Sequence, residues 1–428
     1  MIQSIIIAGI TCLILILSIL FFPKIKIKNF EISTYIIVSL IGAILMLAFN
    51  LIPLNDLKDK LFTGSSVNPI KILVLFFSMT IISIYLDEVG FFKYIAYKSV
   101  GLAKHSQFVL FILIYSFASI LTIFTSNDIV ILTFIPFICY FCKNANINPI
   151  PYLVGSFVGA NTWSMMLVIG NPTNIYLATS YHINFLKYLN IMFLPTLVGG
   201  LTELAIIILI FRRSLKKSIN VTKEDYKIES KFNLIVGLTH LTICLIFLII
   251  SSYINIEIYL ISLICAISLI LVNLIASIFN REKPQNLFNS IKRLPYELIV
   301  FVLSMFVIVE GLNVTGFTTM IYNTLGENFG IFKYGYSSFL LCDLINNIPM
   351  SVLYANIPNL TQGDVFASII GSNIGAFLTP IGALAGIMFT NLLAKYKVKY
   401  SFVDFVKYGF IISIPTITIT LLILSMEF

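Results

Sequence analysis

Residues 107–142 read QFVLFILIYSFASILTIFTSNDIVILTFIPFICYFC, two apolar runs interrupted at the middle by Thr125-Ser126-Asn127-Asp128. Backbone at membrane depth is tolerated outside a regular helix only where it is buried in protein or lines a wet cavity. The stretch therefore reads as a re-entrant hairpin whose tip is the polar cluster. Residues 334–358, YGYSSFLLCDLINNIPMSVLYANIP, repeat the pattern around Asn346-Asn347-Ile348-Pro349. Two such interrupted segments in one chain predict a membrane protein with a polar interior.

The composition agrees. Hydrophobic residues make up 59% of the 428 and charged residues 11%, against about 25% charged in soluble domains. Apolar runs at 2–22, 32–54, 69–90, 150–180, 189–211, 233–253, 257–279, 295–313, 365–392 and 402–426 are each long enough for the roughly 30 Å hydrocarbon layer. The expected architecture is an all-α polytopic membrane protein with about ten crossings and two re-entrant hairpins. Residues 2–22 lack a basic leader and a small-residue cleavage site, and read as a retained first helix. The six cysteines are scattered through apolar runs, which predicts core thiols and not a disulfide framework or a zinc site. The net charge of +8 sits in short connections between runs, so no nucleic-acid partner is expected.

Those connections also set orientation. Lys24, Lys26 and Lys28; Lys93, Lys98, Lys104 and Lys143; the seven basic residues of 212–231, Lys223 among them; Arg281, Lys283, Lys292 and Arg293; and Lys395, Lys397 and Lys399 all fall on one side when the crossings alternate. The excess of positive residues makes that side cytoplasmic. Both termini are then outside, with the first hairpin entering from the cytoplasm and the second from the exterior.

The chain also repeats itself. Shifted by 226 positions, Pro69 falls on Pro295, Ser78-Met79 on Ser304-Met305 and Gly90-Phe91 on Gly316-Phe317; a shift of 220 puts Asn127 on Asn347, and one of 212 puts Gly159-Ala160-Asn161 on Gly371-Ser372-Asn373. Each half holds an odd number of crossings, so the second half lies upside down relative to the first. Residues 1–211 form the first inverted repeat, with scaffold helices in 1–92 and a hairpin and broken helix in 107–180. Residues 212–231 are a cytoplasmic linker. Residues 232–428 form the second repeat, with scaffold helices in 232–313 and a hairpin and broken helix in 334–392. Inverted repeats with broken helices near the midplane are a common transporter plan. No Gly-Lys-Ser/Thr phosphate loop occurs, so the chain is expected neither to use ATP by that chemistry nor to be an enzyme.

Besides the two tips, polar breaks fall at Gly170-Asn171-Pro172-Thr173-Asn174 and Thr379-Pro380-Ile381-Gly382-Ala383. Pro and Gly remove part of a helix's hydrogen-bond ladder. Half-helix N-termini then offer amides to an anion, and freed carbonyls with Asn, Ser and Thr oxygens suit a cation such as Na⁺. Plain kinks in buried helices are the alternative; four breaks in two symmetric pairs argue against it. Ser126, Asn127 and Asp128 with carbonyls around Gly170 and Asn171 are read as a cation or proton site, with Thr125 beside it. Asn346, Asn347, Thr379, Pro380 and Gly382 are read as the partner set, with substrate between. Asp128 is the favoured carboxylate and Asp343 the second candidate; Glu203 and Glu310 are expected to be paired or snorkelling, and Asp87 and Glu88 solvated at a membrane face. Without Arg or Lys near a break, a substrate must be neutral, weakly charged, or held by dipoles and a bound cation. Beyond that coupling ion no cofactor is expected. Cys139 and Cys142 read as packing.

At these residues the chain resembles the ion transporter superfamily, which includes arsenite efflux permeases, sodium-coupled dicarboxylate transporters, citrate permeases and a group of sodium/proton antiporters. Ser126-Asn127-Asp128 resembles the Ser-Asn-Thr tip of the dicarboxylate group in its first two positions and the arsenite permeases in its Asn-Asp pair. Asn346-Asn347-Ile348-Pro349 and Thr379-Pro380-Ile381-Gly382 are similar to second-half signatures of the arsenite permeases. Gly170-Asn171-Pro172-Thr173-Asn174 resembles the Gly-Thr-Pro-x-Asn loop of the dicarboxylate transporters. The resemblance implies a scaffold domain, usually dimerising, and a transport domain of hairpins and broken helices that slides like an elevator. The expected function is ion-coupled secondary transport of a small anion or metalloid oxyanion in the plasma membrane, with arsenite-type efflux placed ahead of Na⁺-coupled di- or tricarboxylate symport and Na⁺/H⁺ antiport. The lipid bilayer, a second copy of the chain and a soluble ATPase at the basic linker are the candidate partners.

Overall fold

The computed structural model describes all residues except 1, 23, 28–29, 63–67, 104, 220–226 and 327–329, so Lys28, Lys104 and Lys223 of the basic clusters lie outside the described residues. Among the described residues, twenty α-helices follow one another in two series of ten. The first is α1 (Ile2–Phe21), α2 (Thr34–Ala48), α3 (Leu54–Phe62), α4 (Pro69–Glu88), α5 (Phe91–Leu102), α6 (Gln107–Phe124), α7 (Asn127–Asn144), α8 (Ile150–Trp163), α9 (Pro172–Ser180) and α10 (Phe185–Leu215). The second is α11 (Lys231–Ile254), α12 (Ile258–Asn280), α13 (Gln285–Lys292), α14 (Glu297–Val314), α15 (Phe317–Leu325), α16 (Gly330–Ile345), α17 (Asn347–Ala355), α18 (Gln362–Gly375), α19 (Leu384–Lys395) and α20 (Phe402–Leu424). Among the described residues, 8 helical spans are long and apolar enough to cross a membrane. The chain is an all-α polytopic membrane protein.

The run expected at 32–54 is shorter than its apolar content suggests. Lys24–Ile27 and Phe30–Ser33 pair as an antiparallel β-hairpin (β1 and β2) with Lys26 opposite Glu31. The Lys-Ile-Lys-Ile alternation has the period of a strand, and it leaves α2 with 15 residues, about 22 Å of rise.

The matched helices run in opposite directions. Arg293, just before α14, forms ion pairs with Asp87 and Glu88 at the end of α4, so α14 begins where its counterpart finishes. Each of these two helices is followed by a left-handed glycine, Gly90 at φ 89° and Gly316 at φ 81°, a conformation that costs glycine little and other residues much. The halves interlock through their counterparts: α2 packs on α14 as α12 packs on α4, and α9 packs on α17 as α19 packs on α7. Ser4 at the start of α1 is bonded to Thr315 (2.8 Å), Asn313 beside it to Asn356 (3.2 Å), and Phe428 packs on Gly363 and Phe366. Both ends of the chain thus share a face, while Lys24, Arg293 and Lys395 gather around one cavity at the opposite end of α4 and α14.

Asp87 corrects the expectation of a solvated carboxylate. It is buried and held by Arg293 at 2.7 Å, because the reversed half delivers a cation to the end of α4. Glu310 is paired as expected, with Lys60. Glu203 is not paired with a cation: it is fully buried, with Tyr115 donating at 2.7 Å and Thr162 donating to its other oxygen.

Candidate functional site

Each hairpin turns where its sequence offers short polar side chains that replace lost helix bonds. At the first tip, Thr125 ends α6 with its hydroxyl donating to the Leu121 carbonyl at 2.7 Å. Ser126 stands before α7 with a buried hydroxyl that has no partner among the described residues. The Asn127 amide donates to Asn161 on α8 at 3.0 Å, and its oxygen accepts the Asp128 amide at 2.9 Å. The Asp128 carboxylate takes part in no hydrogen bond or ion pair among the described residues. It lines, with Ser126, Tyr35, Thr80 and Asn391, a cavity of about 650 Å³ whose rim carries Lys24, Arg293 and Lys395.

The second tip is closed. Asn346 sits at φ 73°, in the left-handed region; its side chain accepts the Ile348 amide at 3.3 Å and donates to the Ile381 carbonyl at 2.9 Å. The Asn347 amide donates to the Gly382 carbonyl at 2.9 Å. Across the same break, the Asp343 carboxylate accepts the Thr379 amide at 3.0 Å and its hydroxyl at 2.7 Å, leaving its second oxygen buried without a partner. The Pro380 carbonyl packs against Gly386. The space beside Asn346 and Ile381 holds only about 10 Å³.

The structure thus brings Asn346, Asn347, Thr379 and Gly382 together and adds Asp343 to them. It does not tie Gly170 and Asn171 to the first tip as expected. The end of α6 packs near the two short 3-10 turns, Ser164–Met166 and Val168–Gly170, but no hydrogen bond among the described residues joins them to residues 125–128. Gly170 is pressed on the Ser164 carbonyl, where a Cβ would come to 2.1 Å. The first break is bound instead to the other half. Asn373 on α18 accepts from Asn171 and Ser164, each at 3.0 Å, and donates to Asn174 at 2.7 Å. Thr173 meets Ser372 at 3.2 Å, and Pro172 opens α9. The break residues are spoken for because α9 packs against the inverted half.

Four half-helices, α7, α9, α17 and α19, start at these breaks and meet in the pairs α7 with α19 and α9 with α17. Each start presents amides with a partial positive charge. No Lys or Arg hydrogen-bonds to a tip or break residue among the described residues. The arrangement can hold an anion or a polar neutral solute by dipoles, with carboxylates at Asp128 and Asp343 for a cation or proton. Sequence reasoning left Asn161, Ser164, Ser372 and Asn373 out of the site. The signal was present in the repeat, where Asn161 and Asn373 are matched asparagines inside apolar helices, each preceded by a glycine and a small residue.

The citrate transporter family matches residues 29–362. The arsenical pump membrane protein of Escherichia coli (strain K12) is 23% identical over 374 residues, covering 82% of this chain and 85% of that protein. The protein of the same name from Yersinia enterocolitica is also 23% identical, over 371 residues. Among solved structures, the Alcanivorax borkumensis YdaH transporter, described as having an unusual topology, superposes with a TM-score of 0.52 over 99% of this chain and 98% of that one, at 13% identity. The chain belongs to the citrate transporter family of the ion transporter superfamily, and is a secondary transporter of anions.

Proposed function

We propose that the chain exports a small metalloid oxyanion of the arsenite type across the plasma membrane, coupled to a cation or proton bound at the first tip. The observation that carries this reading is Asp128, a carboxylate with no hydrogen-bond or ion-pair partner among the described residues, which lines a cavity together with Ser126, whose buried hydroxyl likewise has none among them. An intramembrane carboxylate left open is costly unless it meets water, a cation or a proton. A polar layer built from Asn, Ser and Thr, without Arg or Lys, suits a solute that is neutral or weakly charged in solution. The arsenical pump relatives support the same substrate class. With the basic rim on the cytoplasmic side, the cavity is the inward-facing route to the tip, and the substrate seat lies between the two tips. Asn127 and Asp128 hold the coupling ion, and Asn346, Asn347, Thr379 and Gly382 border the substrate. Movement of the hairpin-bearing helices against the scaffold, in a dimer, completes the cycle.

A second reading is favoured by the rim itself: Lys24 and Lys395, beside an Arg293 already held by Asp87 and Glu88, would draw a di- or tricarboxylate into the cavity, where Na⁺ at Asp128 would balance its charge. Everted vesicles separate the two. Uptake of arsenite driven by an imposed cation or proton gradient, and lost in Asp128→Asn, supports the first reading. Na⁺-dependent citrate or succinate transport that arsenite does not inhibit overturns it in favour of the second.

A further inference from the structure

Three sulfur-bearing side chains sit where α4, α11 and α12 pack together. The Cys244 thiol on α11 donates to the Met79 thioether on α4 at 3.6 Å. Cys265 is buried on α12, which packs along α11. One turn away, His240 on α11 meets Ser268 on α12 at 3.1 Å, which is the register an antiparallel helix pair needs to set Cys244 opposite Cys265. Met79 is 3%, Cys244 0% and Cys265 8% exposed. No disulfide joins the thiols, and both are free.

At the matching junction α1, α2 and α14 meet through Thr11, Gly42 and Ile308. There α1 carries Cys12 and α14 carries Met305, the counterpart of Met79, but α2 carries no cysteine to match Cys265, so this junction holds two thiols in the second half alone. Two thiols and a thioether in an apolar, uncharged setting are poor ligands for hard cations and good ones for soft acids. The polar neighbours from the packed elements are His240, Ser268 and, from α4, Ser83, whose hydroxyl donates to the Met79 carbonyl at 2.9 Å. None of them carries an opposing fixed charge.

We propose that Cys244 and Cys265, with Met79 beside them, form a thiophilic site that captures a trivalent arsenical as a dithiol chelate bridging α11 and α12. In the step, two As–O bonds of As(OH)₃ break and two As–S bonds form. The two thiol protons leave with the hydroxyl groups as two waters, and arsenic stays trivalent. Met79 offers a third, weaker sulfur contact. The site is separate from the polar breaks and stands whether or not arsenite is the transported solute.

Phenylarsine oxide, which loses one water to the same two thiols, is the probe. Purified full-length protein in detergent is treated with it and analysed by intact mass and peptide mapping. To remove the one-turn pair on α7, the background is Cys139→Ser with Cys142→Ser. The expected result is one phenylarsenic adduct that links a peptide from 231–254 to one from 258–280. It reverses with an excess of a small dithiol and not a monothiol, and is lost in Cys244→Ser and in Cys265→Ser. Met79→Leu retains the adduct with faster release. Should the serine variants fold poorly, the cross-linked peptide pair in the Cys139→Ser, Cys142→Ser protein decides the matter alone. An adduct that persists without Cys244 and Cys265, or one that never links the two peptides, overturns the proposal.

Discussion

At the second tip, Asn346 and Asn347 are bonded to the Ile381 and Gly382 carbonyls and Asp343 binds Thr379, so the hairpin and the break close on each other. At the first, Asn127 bonds to Asn161 and to the neighbouring Asp128 amide, Ser126 has no partner among the described residues, and Asp128 faces a cavity of about 650 Å³. The two regions derive from one repeated pattern, yet their carboxylates stand on opposite sides of the turn: Asp128 in the first turn of α7, Asp343 in the last turn of α16. A carboxylate before the turn can reach across to the adjacent break and stitch it shut. One after the turn points out of the hairpin and stays available. The difference shows how an inverted repeat can leave one tip facing a cavity and the other stitched to its break without any difference in overall fold.

The comparison is broken most easily at the carboxylates. Asp128→Asn should lower coupled transport on the order of 100-fold, the scale of losing a charged partner for a bound ion, with thermal stability near that of the parent. Asp343→Asn should lower it far less and should lower stability, because it weakens the Thr379 contacts. Transport in proteoliposomes alongside a thermal melt checks both, and equal losses of transport from the two variants would erase the distinction.

The tie between the halves is tested next. Asn373→Ala removes the bonds to Asn171, Ser164 and Asn174 in a fully buried site and should destabilise the protein by about 2 kcal/mol, read by thermal or chemical denaturation. Asn161→Ala, which removes only the Asn127 contact across helices, should cost less. A smaller difference is expected between two glycines. At Gly170 an added Cβ meets the Ser164 backbone oxygen at 2.1 Å, whereas at Gly382 it meets Asp343 and the Gly375 carbonyl at 2.9 Å. Gly170→Ala should therefore cost roughly 2 kcal/mol and Gly382→Ala about 1 kcal/mol; the reverse order would mean that the first break relaxes more readily than the second.

Much of the fold was legible because the membrane makes hydropathy decisive and because the polar interruptions at 125–128 and 346–349 have few physical explanations. The inverted order was also readable, from Pro69/Pro295 through Gly90/Gly316. The pairing of tips with breaks was readable in one half only. Asn346 with Ile381 lies within the second half, but Asn171 with Asn373 joins residues 202 positions apart, and no local pattern reports which half-helix a break will face once the halves interlock. The ends of elements were hidden for a similar reason: Lys24–Ile27 alternates with the strand period inside what reads as an entry to α2, and Asp87 is solvated in sequence terms until Arg293 arrives from the reversed half.

The central claim is that the first tip is open toward the basic face and the second is closed. Ser126→Cys and Asn346→Cys, each on a background without the six native cysteines, can be treated with a membrane-impermeant maleimide in everted and in right-side-out vesicles. The account predicts labelling of Ser126→Cys from the everted side alone, slowed by substrate or coupling ion, and little labelling of Asn346→Cys from that side. Equal labelling of both positions from one side, or labelling of Asn346→Cys in preference to Ser126→Cys from the everted side, would contradict it.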